Sequence, residues 1–300
     1  MSAIRYYISD LISLTKPPII SLLLVTAIGS VFLASNGNPP FLISMYILLG
    51  GALGAAGASV INNVIDRNID KSMKRTERRA VASKRVSPSM ALVYGILLNV
   101  GSFALLFYTV NFISAFLTIF ASVFYIVIYT ILLKPRTTQN IVIGGAAGCF
   151  PPVIAWVGIV GNSGLYDPSP WFMFLIIFLW TPPHFWALGI LMKDDYAKAN
   201  IPMLPVIHGM KRVTIEIFIY SIAILLTTIL FWWFTNLGYV FLVLSLLNNI
   251  IYSYFCYKLL IVKDRQTARN AYLYSLLHLY QFVCIIYVSC TCHQNSLILY

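Results

Sequence analysis

Apolar residues in this chain neither alternate nor recur on one helical face; they run together. Nine stretches, over residues 18–34, 41–63, 90–110, 112–133, 141–160, 171–192, 213–235, 238–257 and 272–291, are apolar almost throughout. At ~1.5 Å of rise per residue, each is long enough or nearly long enough to cross ~30 Å of hydrocarbon as a helix. The pattern predicts an all-α polytopic membrane protein with nine transmembrane helices, forming a single domain over residues 1–300. Composition agrees. The chain is 60% apolar and 10% charged, whereas a soluble domain carries about 25% charged residues.

Charge adds direction. The twenty Lys and Arg lie before the first span or after an even-numbered one, and eight of the nine acidic residues fall on the same side, with Glu216 just inside the seventh span and Asp167 the exception. By the positive-inside rule the N-terminus and the charged loops are cytoplasmic and the C-terminus is outside. No cleavable segment is evident, so the first span reads as a signal anchor in a bacterial inner membrane, with the C-terminus periplasmic. The net charge of +11 has two readings. One is orientation plus attraction to anionic lipid heads; the other is phosphate handling in the stretch from Arg67 to Arg85, which holds eight basic residues. No soluble domain presents this charge to nucleic acid. Four of the five cysteines fall within spans and none form C-x-x-C, which fits packing. The tail group Cys290, Cys292 and His293 offers too few ligands for a metal site.

The second span continues past its apolar part as INNVIDRNID. Asn62, Asp66 and Asp70 recur every four residues, so a continuing helix lines them on one face. Such an oxygen cluster suits Mg²⁺ when a phosphate completes the shell. The alternative is a solvated helix end whose Asp residues pair with Arg67, Lys71 or Lys74. The following KSMKRTERRAVASKR favours the first, because Lys71, Arg75, Arg78 and their neighbours supply the cations that a metal-bound diphosphate still needs.

A second acidic pair, Asp194 and Asp195, follows the sixth span on the same side of the membrane. Two facing clusters can hold two ions and grip a diphosphate between them. Span five contains GGAAGCFPP, whose small residues allow close helix approach and whose prolines break the helical ladder. Span six contains WTPPHFWAL, placing His184 between Trp180 and Trp186. An intramembrane histidine is a functional group or a hydrogen-bonded structural one, and the sequence supports both. Tyr129, at the end of span four before Lys134, faces a cation with its ring or belongs to an interfacial aromatic belt.

These motifs resemble the intramembrane prenyltransferases of the UbiA superfamily over nearly the whole chain, from LTKPPII onward. The superfamily motif N-x-x-x-D-x-x-x-D is matched by Asn62, Asp66 and Asp70. YTILLKPRTTQNIVIGGAAGCFPPVIAW, WTPPHFWAL and DDYAKANIPMLPV resemble the heme-farnesylating branch. Two positions depart from that pattern: Asn63 stands where Cys is expected and Asn68 where Asp is expected. The superfamily's second D-x-x-x-D is absent, and Asp194 with Asp195 takes its place, which leaves the holding of a second ion open.

The resemblance implies a helical bundle enclosing a lipid-accessible pocket, in which farnesyl diphosphate alkylates a vinyl group of heme B to give heme O. It implies two Mg²⁺ ions held by Asn62, Asp66, Asp70, Asp194 and Asp195. It implies phosphate contacts from Lys71, Arg75, Arg78 and Lys134, with Tyr129 beside them and His184 contacting heme. A heme A synthase or terminal-oxidase assembly factors are the partners it suggests. Two other functions compete. A quinone-type aromatic prenyltransferase would share the first motif but not WTPPHFWAL with IPMLPV. A secondary transporter would show an internal repeat and charges deep within spans, and the sequence has neither.

Overall fold

The computed structural model describes residues 2–235 and 237–298, with side chains over 5–235 and 237–292, so the side chain of His293 lies outside the described residues. Among the described residues there is no strand. Helix α1 (Ser2–Leu14) precedes the first span, α2 (Pro17–Ala34). The second span, α3 (Phe41–Ile65), runs into the short α4 (Arg67–Ser72). Spans three and four are α5 (Pro88–Thr109) and α6 (Phe112–Val123), and the latter continues as a π-helix over Phe124–Leu133. Span five is broken into α7 (Asn140–Gly145), a 3-10 turn (Ala146–Cys149) and α8 (Phe150–Val160). Span six is α9 (Pro168–Leu191), followed by the loop helices α10 (Lys193–Lys198) and α11 (Leu204–Ile207). The last three spans are α12 (Gly209–Thr235), α13 (Gly238–Val262) and α14 (Arg265–Ile298).

Nine helices among the described residues are long and apolar enough to cross a membrane, and they coincide with the nine apolar stretches. The helices overrun those stretches mainly at the charged side: α12 begins at Gly209 and α14 at Arg265. Hydropathy marks the hydrocarbon and not the helix, and a helix with polar caps continues into the interface. Side-chain caps start several of them. Asn111 accepts from the Ser114 N–H at 2.7 Å, Asp167 from Ser169 at 2.8 Å and Asp264 from Thr267 at 2.7 Å.

Each span packs on the next in chain order, and α14 closes the circuit against α2. Spans one, two, four, five, six and nine line an internal cavity, while α5, α12 and α13 brace the ring from outside. Close approach of α3 and α5 depends on glycine: a Cβ at Gly57 would sit 2.7 Å from the Gly95 carbonyl. The outer surface is apolar, as lipid contact requires. Tyr108, Tyr166, Trp233 and Tyr239 are largely exposed at the end remote from the charged loops, where an interfacial aromatic belt lies. Tyr129 is not part of such a belt; it packs on Gly144, stacks on Tyr125 and lines the cavity.

Candidate active site

Asp66 ends α3 but not the helical path. Its N–H donates to the Asn62 carbonyl, and that of Asp70 donates to the Asp66 carbonyl, each at 2.8 Å. Asn62, Asp66 and Asp70 therefore stack on one face at one-turn intervals, as their spacing predicts, and each is only 2% exposed. Buried carboxylates demand counter-charge. Lys134 Nζ lies 2.5 Å from Asp66 Oδ2, and Arg79 Nη1 reaches both oxygens of Asp70 at 2.9 and 3.0 Å. Neither carboxylate pairs with Arg67, Lys71 or Lys74, and neither is solvated. The cluster is an enclosed charge network.

Asn62 ties this network together. Its Nδ2 donates to Asp66 Oδ2 at 2.9 Å and to Thr130 Oγ1 at 3.0 Å, and its Oδ1 accepts from Lys16 Nζ at 2.7 Å. Lys16 sits in the left-handed region, with φ 57° and ψ 63°, immediately before Pro17. That conformation is costly for a residue with a Cβ and disfavoured before proline, so the surrounding contacts must hold it. Asn63 does so from α3 by donating to the Leu14 carbonyl at 3.0 Å. Burial pushes the Lys16 ammonium down to about 7; Arg79 and Lys134 act the same way, and Asp66 and Asp70 oppose them. Lys134 and Arg79 thus balance the two carboxylates, with Lys16 poised between its neutral and charged forms.

The π-helix sets the geometry of the opposite wall. Lys134 N–H donates to the Tyr129 carbonyl at 2.8 Å, an i to i−5 bond. The wider turn places Tyr125, Thr130 and Lys134 on the side that meets the first motif. π-Helical stretches are rare and concentrate at functional sites.

Asp66 Oδ1 is buried and has no hydrogen-bond partner. A carboxylate oxygen left in that condition fits a hard cation, and Mg²⁺ takes one or two carboxylates together with substrate phosphate. Among the described residues no three His, Cys, Asp or Glu groups converge on one ion-sized point. Asp194 is exposed and Asp195 half-buried in the first turn of α10, and neither makes an ion pair or side-chain hydrogen bond among the described residues. Lys71 and Arg78 are exposed and form no ion pair with either carboxylate. Burial pushes the Tyr196 phenol above its usual 10, and the positive charge of Arg75 opposes that rise. The apolar cluster of Met73, Ile141, Tyr196, Ile201 and Met203 joins the loop after α4 to the loop around α10. Tyr129 and Phe185 touch the same cluster and line the cavity, so the joined loops cap its charged end.

The cavity below has a volume of about 310 Å³ and reaches Ile47 and Ile154 in the depth of the bundle. His184 lines it from α9, two turns in from the charged end. Its Nδ1 is 2.6 Å from Ser275 Oγ and its ring stacks on Trp180 at 4.3 Å. Its Nε2 has no partner among the described residues. His278, by contrast, is bonded through Nε2 to Asn249 Oδ1 at 3.1 Å, outside the cavity. Arg79 comes from the basic loop read as a diphosphate clamp, whereas Lys16, Thr130 and Tyr125 complete the site without having been singled out by motif. Lys16 had one signal, a lone cation against the double proline opening the first span; Thr130 and Tyr125 had none, because the π register is invisible in the sequence.

The UbiA prenyltransferase family profile matches residues 22–280. A protoheme IX farnesyltransferase of Gloeobacter violaceus is 43% identical over 235 residues, covering 78% of this chain and 76% of that relative. Its counterpart in Microcystis aeruginosa is 42% identical over 268 residues, 89% of this chain and 84% of the relative. The one from Thermus thermophilus is 40% identical over 270 residues, but this chain spans only 44% of its length. Among solved structures, a digeranylgeranylglyceryl phosphate synthase superimposes with a TM-score of 0.77 at 17% identity, covering 97% of this chain and 99% of that one. A UbiA homolog from Archaeoglobus fulgidus bound to GPP and Mg²⁺ gives 0.64 at 17% identity, with 92% and 99% covered. The structural likeness concerns the fold; the sequence matches over most of the chain carry the kinship, and the protein is a member of the UbiA prenyltransferase family.

Proposed function

We propose that the protein transfers the farnesyl group of farnesyl diphosphate to a vinyl group of heme B, forming heme O, at the cytoplasmic face of a bacterial inner membrane. The observation that carries the reading is the enclosed carboxylate and cation network, with its unpartnered Asp66 oxygen, beside an apolar cavity that also presents a histidine. The names of the relatives at about 40% identity support the choice of acceptor.

The allylic C–O bond breaks, the farnesyl carbon bonds to the vinyl terminus, and water adds to the cation left on the heme substituent with loss of a proton. Asn62, Asp66 and Asp70 would hold Mg²⁺, with Asp194 and Asp195 available to a second ion. Bound there, the metal would neutralise charge on the departing diphosphate. Lys134 and Arg79 are cations beside the point where that charge would develop, Lys16 gains its full charge as the anion arrives, and Lys71, Arg75 and Arg78 extend the positive surface outward. The apolar walls keep water from the allylic cation until the C–C bond has formed. Tyr125 and Tyr129, stacked on one another, line the same space. His184, oriented by Ser275, is the contact for heme iron or a propionate.

Purified protein incubated with heme B, farnesyl diphosphate and Mg²⁺ is expected to yield a farnesylated, hydroxylated heme by mass spectrometry. Prenylation of a hydroxybenzoate in its place, or no product from folded protein, would overturn the assignment.

A further inference from the structure

One wall of the cavity is not explained by packing. Helix α3 contains four glycines, and at three of them an added Cβ would collide: Gly50 at 2.4 Å from Leu106, Gly54 at 2.5 Å from Thr118, and Gly57 at 2.2 Å from Asn99. These positions let neighbouring spans approach. Gly51 differs. A Cβ there meets nothing within 4 Å, and the residue lines the cavity. Glycine within a helix is less stable than alanine, so neither the helix nor its packing accounts for glycine at this position. Open space for a ligand does.

The position of Gly51 says which ligand. Ile47, Gly51, Ala55 and Ser59 line the cavity at intervals of four, and the same face continues upward to Asn62 and Asp66. It is one track from the carboxylate cluster into the membrane. Gly51 lies ~22 Å along the axis from Asp66 at ~1.5 Å per residue, about the reach of a diphosphate with three isoprene units laid out behind it. Below Gly51 the track ends on Ile47, which is 2% exposed. A Cβ on Gly158 would lie 2.5 Å from Ile47 Cδ1, so span five holds this floor in place. His184, Trp180 and Phe185 belong to another wall, on α9.

We propose that Gly51 is the length gauge of the prenyl donor: the terminal isoprene unit lies over its bare backbone, and Ile47 stops a longer chain. The identity of that chain as farnesyl rests on the proposed function, whereas the gauge concerns the donor alone.

The test uses full-length purified protein with Mg²⁺ and the non-ionising thiolodiphosphate analogues of geranyl, farnesyl and geranylgeranyl diphosphate, with heme B titrated separately. Wild type is expected to bind the farnesyl analogue best. Gly51→Leu should weaken the farnesyl analogue at least ~10-fold, the scale of one misplaced apolar group in a fitted pocket, while sparing the geranyl analogue and heme. Ile47→Ala should strengthen the geranylgeranyl analogue relative to farnesyl. Gly101→Leu, at a glycine of α5 with nothing within 4 Å and outside the cavity, should change neither preference. If Gly51→Leu fails to fold, Gly51→Ala and Ile47→Ala carry the comparison. A wild type indifferent to chain length, an equal loss for all three analogues, or a loss of heme affinity with chain preference intact would overturn the gauge. A retained length preference in a protein that leaves heme B unreacted would remove the proposed acceptor and leave the gauge standing.

Discussion

Lys134 Nζ and Asp66 Oδ2 lie 2.5 Å apart across 68 residues of sequence. The pair joins the second span to the π-helical end of the fourth and leaves the other Asp66 oxygen without a partner. Removing Lys134 alone strands a buried carboxylate, which costs about 3–5 kcal/mol. Lys134→Met is therefore expected to lower the melting temperature markedly, and Lys134→Met combined with Asp66→Asn should recover most of it. Neither variant should recover turnover, because the double change restores neutrality and not phosphate binding. Recovery of activity in the double variant would show that the pair serves only the fold.

Asp70 and the half-buried Arg79 form the second pair, and a metal bound at Asp70 would compete with Arg79 for its carboxylate. Mg²⁺ with inorganic diphosphate should raise the melting temperature of the wild type, by about 2.7 kcal/mol of stabilisation at a hundredfold excess over Kd. Asp66→Ala and Asp70→Ala should each abolish that shift and turnover together. Asn68 is exposed, so Asn68→Asp should leave both intact. A full ligand-induced shift in Asp70→Ala would remove Asp70 from the site.

His184 lines the cavity and is held by Ser275 through Nδ1, while its Nε2 has no partner among the described residues. His184→Ala is expected to weaken heme binding and alter the heme absorption spectrum, with the affinity of a farnesyl diphosphate analogue nearly unchanged. Ser275→Ala should weaken heme binding less. If both ligands suffer equally and stability falls by ~1–3 kcal/mol, as for a stranded buried partner, the residue is structural.

Asp264 caps α14 by accepting from the backbone N–H and the hydroxyl of Thr267, both at 2.7 Å. These bonds, the backbone one foremost, hold its carboxyl below the ordinary 3.8. A depressed folded-state pKa means stabilisation that is complete above the unfolded value and lost as pH falls through the folded one. Asp264→Ala should therefore lower the melting temperature slightly at neutral pH, and the difference should vanish in acid below that range. A difference independent of pH would show that the charge plays no part.

Reporter fusions test the orientation drawn from the one-sided basic loops. A fusion at residue 10 should report the cytoplasm, and one at the C-terminal end of α14 the periplasm. Activity of both on one side would contradict nine spans.

Much of this protein was legible in its sequence, for reasons of solvent. A backbone crossing hydrocarbon must satisfy its own hydrogen bonds, so nine predominantly apolar runs read directly as the nine helical spans found among the described residues. The helical period likewise set Asn62, Asp66 and Asp70 on one face, because neighbours four apart share a face wherever the helix goes. The double proline of span five announced the break that opens α8. What the sequence could not supply was the partner of each charge. Lys71, Lys74 and Arg67 are near the carboxylates along the chain, yet Lys134, Arg79 and Lys16 are near them in space. Nearness in the fold depends on which spans pack together, and apolar spans of similar composition carry no address for one another. The π-helix that turns Lys134 inward, the left-handed Lys16 and the open space over Gly51 arise from that packing. They became visible only when the ring of helices closed around the cavity.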